Sequence, residues 1–140
     1  LLMARLNGIP RADVADWELA ADPREVARAR ALVRGRLRDW GLDAGAGAAD
    51  VAETAELLVG EVVTNAVRHA HGGPVRLRMV RAGALLVEVS DDDHGVPVLL
   101  DAGPEDEGGR GMRIVSRLAR EWGTSRSARG KTVWFEQALP

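Results

Sequence analysis

Cysteine is absent from the 140 residues, which excludes disulfides, thiolate metal sites and a cysteine nucleophile, and fits a cytoplasmic setting. An excess of charge is missing too. Nineteen Lys and Arg stand against 21 Asp and Glu, a formal net charge of −2, so no global basic field draws the chain to nucleic acid or anionic lipid. No apolar run approaches the ~20 residues a membrane-spanning helix needs, and no signal peptide is evident. Internal repeats are lacking as well. What is present is 46% hydrophobic and 29% charged, enough for one domain with its own core and too short for two comfortable ones. "LLMARLNGIP" opens without an initiator methionine. We read residues 1–13 as the tail of an upstream domain or linker and 14–140 as one domain, the alternative being a tag or an ordinary first strand.

Periodicity orders the elements. Trp17 to Ala20 reads as a short strand. "ADPREVARARALVRGRLRDWG" reads as a helix, with Asp22 as cap, Pro23 in its first position and Gly41 as its stop. Its apolar stripe is Val26, Ala29, Leu32, Val33, Leu37 and Trp40. After the loop "LDAGAGAAD", with Asp50 as a cap, a second helix runs to about Ala70 and is apolar on almost every side. "VRLRMVR" and "ALLVEVSD" then form a hairpin that turns at Ala82–Gly83. "MRIVSRLAREW" reads as an amphipathic helix anchored by Ile114, Val115, Leu118 and Trp122, and the chain closes as two strands around a turn at Ala128–Gly130. The order β α α β β α β β predicts an α+β fold, a two-layer sandwich with helices on one face of a mixed, largely antiparallel sheet.

Some motifs fail on inspection. "RGKT" at 129–132 lacks the upstream glycine of a phosphate-binding P-loop, since Ser125 stands there, and the alternating "VWFEQAL" follows it instead of a helix. "DDDHG" at 91–95 has its glycine one position early for a calcium loop, and Ala102 stands where the bidentate Glu belongs. His69, His71 and His94 do not have the spacing of zinc ligands.

Others survive, in a fixed order. Glu61 and Asn65 lie four apart on the second helix and so share a face. An amide oxygen beside a carboxylate can hold Mg²⁺ with its waters, and the carboxylate can act as a general base. Equally, the two form a buried polar pair satisfied by neighbouring backbone. Asp91 ends a hydrophobic strand and is followed by Gly95. A carboxylate there can accept from an exocyclic amine, and a glycine lets backbone approach a flat ligand; taken alone the segment is an acidic turn. "EGGRGM" at 107–112 precedes a helix and can form an anion site, with Arg110 adding charge. Gly130-Lys131-Thr132 brings an ammonium and a hydroxyl that can meet the same phosphates.

In this order the features resemble a GHKL-type ATPase domain, the superfamily of gyrase, the heat-shock chaperone and histidine-kinase catalytic domains. More closely, the chain resembles the actinobacterial anti-sigma-factor serine kinases of the sporulation and stress-response type. "ELLVGEVVTNAVRHA" is similar to that family's N box, "VEVSDDDHGVP" to its first glycine box, "DEGGRGMRIVSRLAREWG" to its second and "GKTVWFE" to its closing strand. The match covers about residues 16–138. The resemblance implies the Bergerat sandwich and the cofactors ATP and Mg²⁺. It implies Glu61 as general base, Asn65 as Mg²⁺ ligand and Asp91 as acceptor for the adenine amine. Gly109, Arg110, Gly111 and Met112 would wrap the phosphates and lid, with Thr132 and Lys131 nearby. One departure stands out: Asp93 occupies the first glycine position of a box that often reads Asp-x-Gly-x-Gly, leaving only Gly95.

The resemblance implies a serine/threonine protein kinase that phosphorylates an anti-sigma-factor antagonist and controls a sigma factor. It also suggests a homodimer and a tether to a sporulation-type serine phosphatase domain. The alternative is a non-catalytic nucleotide-sensing or docking module that regulates that phosphatase, a reading Asp93 motivates.

Overall fold

A computed structural model describes residues 8–45, 47–70, 72–92, 107–128 and 130–140, with the side chains of 48, 49 and 107–111 outside the description. A single 3₁₀ turn, Arg11–Asp13, leads into β1 (Val14–Leu19). Then follow α1 (Glu25–Asp39), α2 (Ala48–His69), β2 (Val75–Arg81), β3 (Leu85–Asp91), α3 (Glu107–Leu118), β4 (Glu121–Ser127) and β5 (Gly130–Gln137). The strands form one five-stranded sheet in the order β1-β2-β3-β5-β4. Among the described residues every strand pairing is antiparallel, with no parallel pair of the kind a mixed sheet would show. The α+β class and the element order expected from the sequence are those observed.

Alternation along each strand sends odd and even residues to opposite faces. One face presents Ala15, Leu19, Val75, Leu77, Met79, Leu85, Val87, Val89, Val133 and Phe135, which share a core with Ala29, Val33 and Leu37 of α1, with Leu58, Val59, Val62 and Val63 of α2, and with Val115 of α3. Each fully buried Leu, Val or Phe of that set contributes about 1.5–3 kcal/mol, so this core is the main source of stability. The other face is a mosaic. Register places Asp16, Arg78, Glu88 and Trp134 in one row and Glu18, Arg76, Ser90 and Thr132 in the next. Val80 and Leu86 form a small apolar patch beside them.

Several local expectations are corrected. Helix α1 starts at Glu25 rather than at Pro23: Asp22 Oδ1 accepts the Arg24 N–H at 2.9 Å, closing a turn before the helix. Asp50 does not cap α2, because the cap position is Gly47, in the left-handed region at φ +79°. Gly41 does end α1: at φ +71° it lets the Leu42 N–H reach Leu37 O at 2.8 Å. Strand β1 begins three residues earlier than the sequence suggests. Trp122 belongs to β4 and not to α3. The Ala119 N–H closes the last helical turn on Val115 O, and the Arg120 N–H already bonds Glu136 O of β5. Leu118, expected as an anchor of α3, is exposed, as is Leu57 on α2. No helix among the described residues is long and apolar enough to cross a membrane.

Candidate functional site

Asn65 sits toward the C-terminal end of α2, on the helix face that also carries Glu61 one turn earlier, and both side chains are partly buried. The helix brings Asn65 over the ends of β3 and β5. There Asp91 and Lys131 are cross-strand neighbours on the helix-facing side of the sheet. Lys131 Nζ donates to Asn65 Oδ1 at 3.1 Å and lies 3.7 Å from Asp91 Oδ2. Both charged side chains are deeply buried, Asp91 wholly (0% exposed) and Lys131 nearly so (6%). An amide, a carboxylate and an ammonium thus meet beneath one helix.

Gly130 makes the placement possible. At φ +144° it occupies backbone space that L side chains rarely adopt, and a Cβ there would lie 1.9 Å from Asp91 O. The two strand ends close to that distance only because residue 130 has no side chain. On the β3 side, the Gly73 N–H donates to Asp92 Oδ2 at 3.0 Å, tying the turn before β2 to the end of β3.

Of the residues expected from the sequence, the structure therefore unites Asn65, Asp91 and Lys131, with Glu61 on the adjoining turn. Thr132 does not join them. It points to the opposite face, where its hydroxyl shares a 3.0 Å hydrogen bond with Ser90 Oγ. There it lines a groove of about 490 Å³ with Arg76, Arg78 and Glu88, and the groove reaches Asp91 and Lys131 at the strand ends. Strand alternation was the signal available in the sequence: consecutive Lys131 and Thr132 leave a flat strand on opposite faces. Met112 packs against the core cluster. Gly109, Arg110 and Gly111 lie inside the first turns of α3, which begins at Glu107, rather than in a loop before it; their side chains fall outside the description. Gly95, Asp93, His71 and His94 lie outside the described residues. No group of three or more His, Cys, Asp or Glu able to hold a metal occurs among the described residues.

The donors present fit a Mg²⁺ nucleotide in kind. Mg²⁺ takes few protein oxygens and keeps waters, and Asn65 Oδ1 with the Glu61 carboxylate a turn away are oxygen donors of that sort. Asp91, a buried carboxylate at the end of β3, can accept a hydrogen bond from an exocyclic amine. Sequence reasoning missed the outer-face row. Glu88, only 8% exposed there, is pushed above the usual carboxylate range by burial, against the opposing pull of Arg78.

A helix-borne amide and carboxylate set over strand-borne Asp91 define a chain of the ATPase-sandwich class. Residues 5–136 match the histidine kinase-like ATPase domain, and the chain belongs to that family. Similarity to solved structures agrees. A blue-light-activated histidine kinase of Erythrobacter litoralis EL346 superposes with a TM-score of 0.56 at 26% identity, over 84% of this chain and 41% of that one. The histidine kinase domain from the same protein gives 0.54 at 28% identity, over 84% and 60%. The chain thus spans less than two thirds of either. An uncharacterized protein of Streptomyces coelicolor is 36% identical over 83 residues, which is 56% of this chain and 79% of that protein. Membership of this family implies ATP binding.

Proposed function

We propose that the chain binds ATP with Mg²⁺ and transfers the γ-phosphoryl group to a serine of a protein partner, as a kinase of the anti-sigma-factor type. The observation that carries this reading is the convergence of Asn65 and Asp91 under α2, with Glu61 one turn away. In it, Asp91 accepts the adenine amine, Asn65 offers its amide oxygen to Mg²⁺, and Glu61 takes the proton from the attacking serine hydroxyl. Mg²⁺, when bound, neutralises the phosphate charge. The partner is an anti-sigma-factor antagonist, and through it a sigma factor is controlled. A tethered serine phosphatase domain and a homodimer complete the proposed assembly, set in the cytoplasm.

Incubation with ATP, Mg²⁺ and candidate antagonists tests this. Phosphoserine should form and should fall by about 10²–10⁴-fold in Glu61→Ala, the usual worth of a general base. Failure to phosphorylate any antagonist from the source genome would contradict it. A second reading, a nucleotide sensor without turnover that regulates the phosphatase, is favoured by Asp93 in place of a glycine. Tight ATP binding without transfer would support that one instead.

A further inference from the structure

Lys131 has no task in the chemistry just proposed, yet it holds the centre of the site. Its ammonium is nearly buried, 3.1 Å from Asn65 Oδ1 and 3.7 Å from Asp91 Oδ2. Those are the two groups that the proposed reading assigns to Mg²⁺ and to the adenine amine. An ammonium offers three N–H donors and a positive charge, so one side chain hydrogen-bonds the amide oxygen and ion-pairs with the buried carboxylate. An uncompensated carboxylate at this depth would be costly, which gives the nucleotide-free pocket a reason to carry its own cation. The four-carbon stem is flexible and springs from β5 directly opposite Asp91, so the ammonium can leave both acceptors without moving the strand.

We propose that Lys131 is an internal stand-in for the ligand. In the nucleotide-free site its ammonium sits between the two groups, hydrogen-bonded to Asn65 and ion-paired with Asp91, and an adenine nucleotide binds only by displacing it. This rests on the nucleotide reading above. It makes Lys131 a determinant of affinity that works against binding, the opposite of a phosphate anchor. The apparent dissociation constant is then raised by the fraction of time the ammonium is seated.

Adenosine is the discriminating probe, because it has no phosphates for a displaced lysine to grip. Lys131→Met and Lys131→Ala should bind adenosine roughly fivefold or more tightly than the wild type, the seated population having been removed. Adenosine binding equal to or weaker than wild type in folded variants would overturn the proposal. A second readout needs no variant. Adenosine should shift the Asn65 side-chain amide signal of the wild-type domain by NMR, since its Oδ1 loses the lysine contact. An unmoved Asn65 signal at saturating adenosine overturns the proposal as well. If neither adenosine nor ATP binds any form, the nucleotide reading falls and takes this inference with it. If the wild type binds ATP while the variants gain nothing for adenosine, only the stand-in role falls.

Discussion

Gly130 and Gly60 respond to the same substitution in different ways because of what an added methyl group meets. At Gly130 it would strike the Asp91 carbonyl at 1.9 Å, on a backbone at φ +144°. Gly130→Ala should therefore cost about 2 kcal/mol or more, read as a lowered urea midpoint, and should also pull Lys131 away from Asp91. At Gly60 the atoms nearest the methyl, from 2.5 Å, belong to the guanidinium of Arg30, the far end of a flexible side chain. Gly60→Ala should change stability by no more than about 1 kcal/mol and can gain from the better helix former. Glu88 supplies a pH test. Burial raises its pKa above the ordinary glutamate value of 4.5, so the folded state holds its proton to higher pH than the unfolded state does. Stability is therefore lost as pH rises from 4.5 through the folded pKa, and is constant above it. Glu88→Gln should remove that loss, leaving the variant with the higher Tm at pH 7 and a smaller difference at pH 4.

Arg81 at the end of β2 ties separate elements together. Its guanidinium bonds Asp13 Oδ1 twice, at 2.9 and 2.6 Å, and Trp40 O at 3.3 Å, and stacks 5.0 Å from the Trp40 ring centroid. Trp40 Nε1 in turn donates to Ala12 O at 2.8 Å. Arg81→Ala should cost about 2 kcal/mol, the scale of charge-assisted bonds that are partly buried. Arg24→Ala, which removes a pair in which Arg24 is 89% exposed, should change stability little; differential denaturation of the two variants checks the contrast. The same distinction explains what was legible in the sequence. Helix and strand order followed from periodicity, because Val33 and Leu37 or Val87 and Val89 must share a face to be buried together. Element ends were less legible. The Asp22 turn before α1 and the early start of β4 at Glu121 depend on hydrogen bonds to Ala20, just past the end of β1, and to Glu136 of β5. In the site, Asn65 and Asp91 could be read from motif order. That Lys131 and Thr132 leave opposite faces follows from alternation; that Lys131 is the one turned inward, opposite Asp91, depends on how β5 pairs with β3 under the helices, a tertiary fact.

At the scale of the molecule, the main core lies under the helices on one side of the sheet and a mixed polar and apolar face lies on the other, and α2 ties the core to the site. Val62, Val63 and Ala66 fix it to the sheet, and the same fixing aims Asn65 at the ends of β3 and β5. Ligand that binds only this folded arrangement should raise its stability by mass action, so MgATP should increase Tm in proportion to the logarithm of its concentration. The most direct measurement is calorimetric titration of MgATP into the wild-type domain and into Asp91→Asn, whose fold is verified by circular dichroism. The account expects saturable binding to one site per chain, weakened at least tenfold (about 1.4 kcal/mol) in the variant. No heat of binding in the wild type, or equal affinity in both, would contradict it.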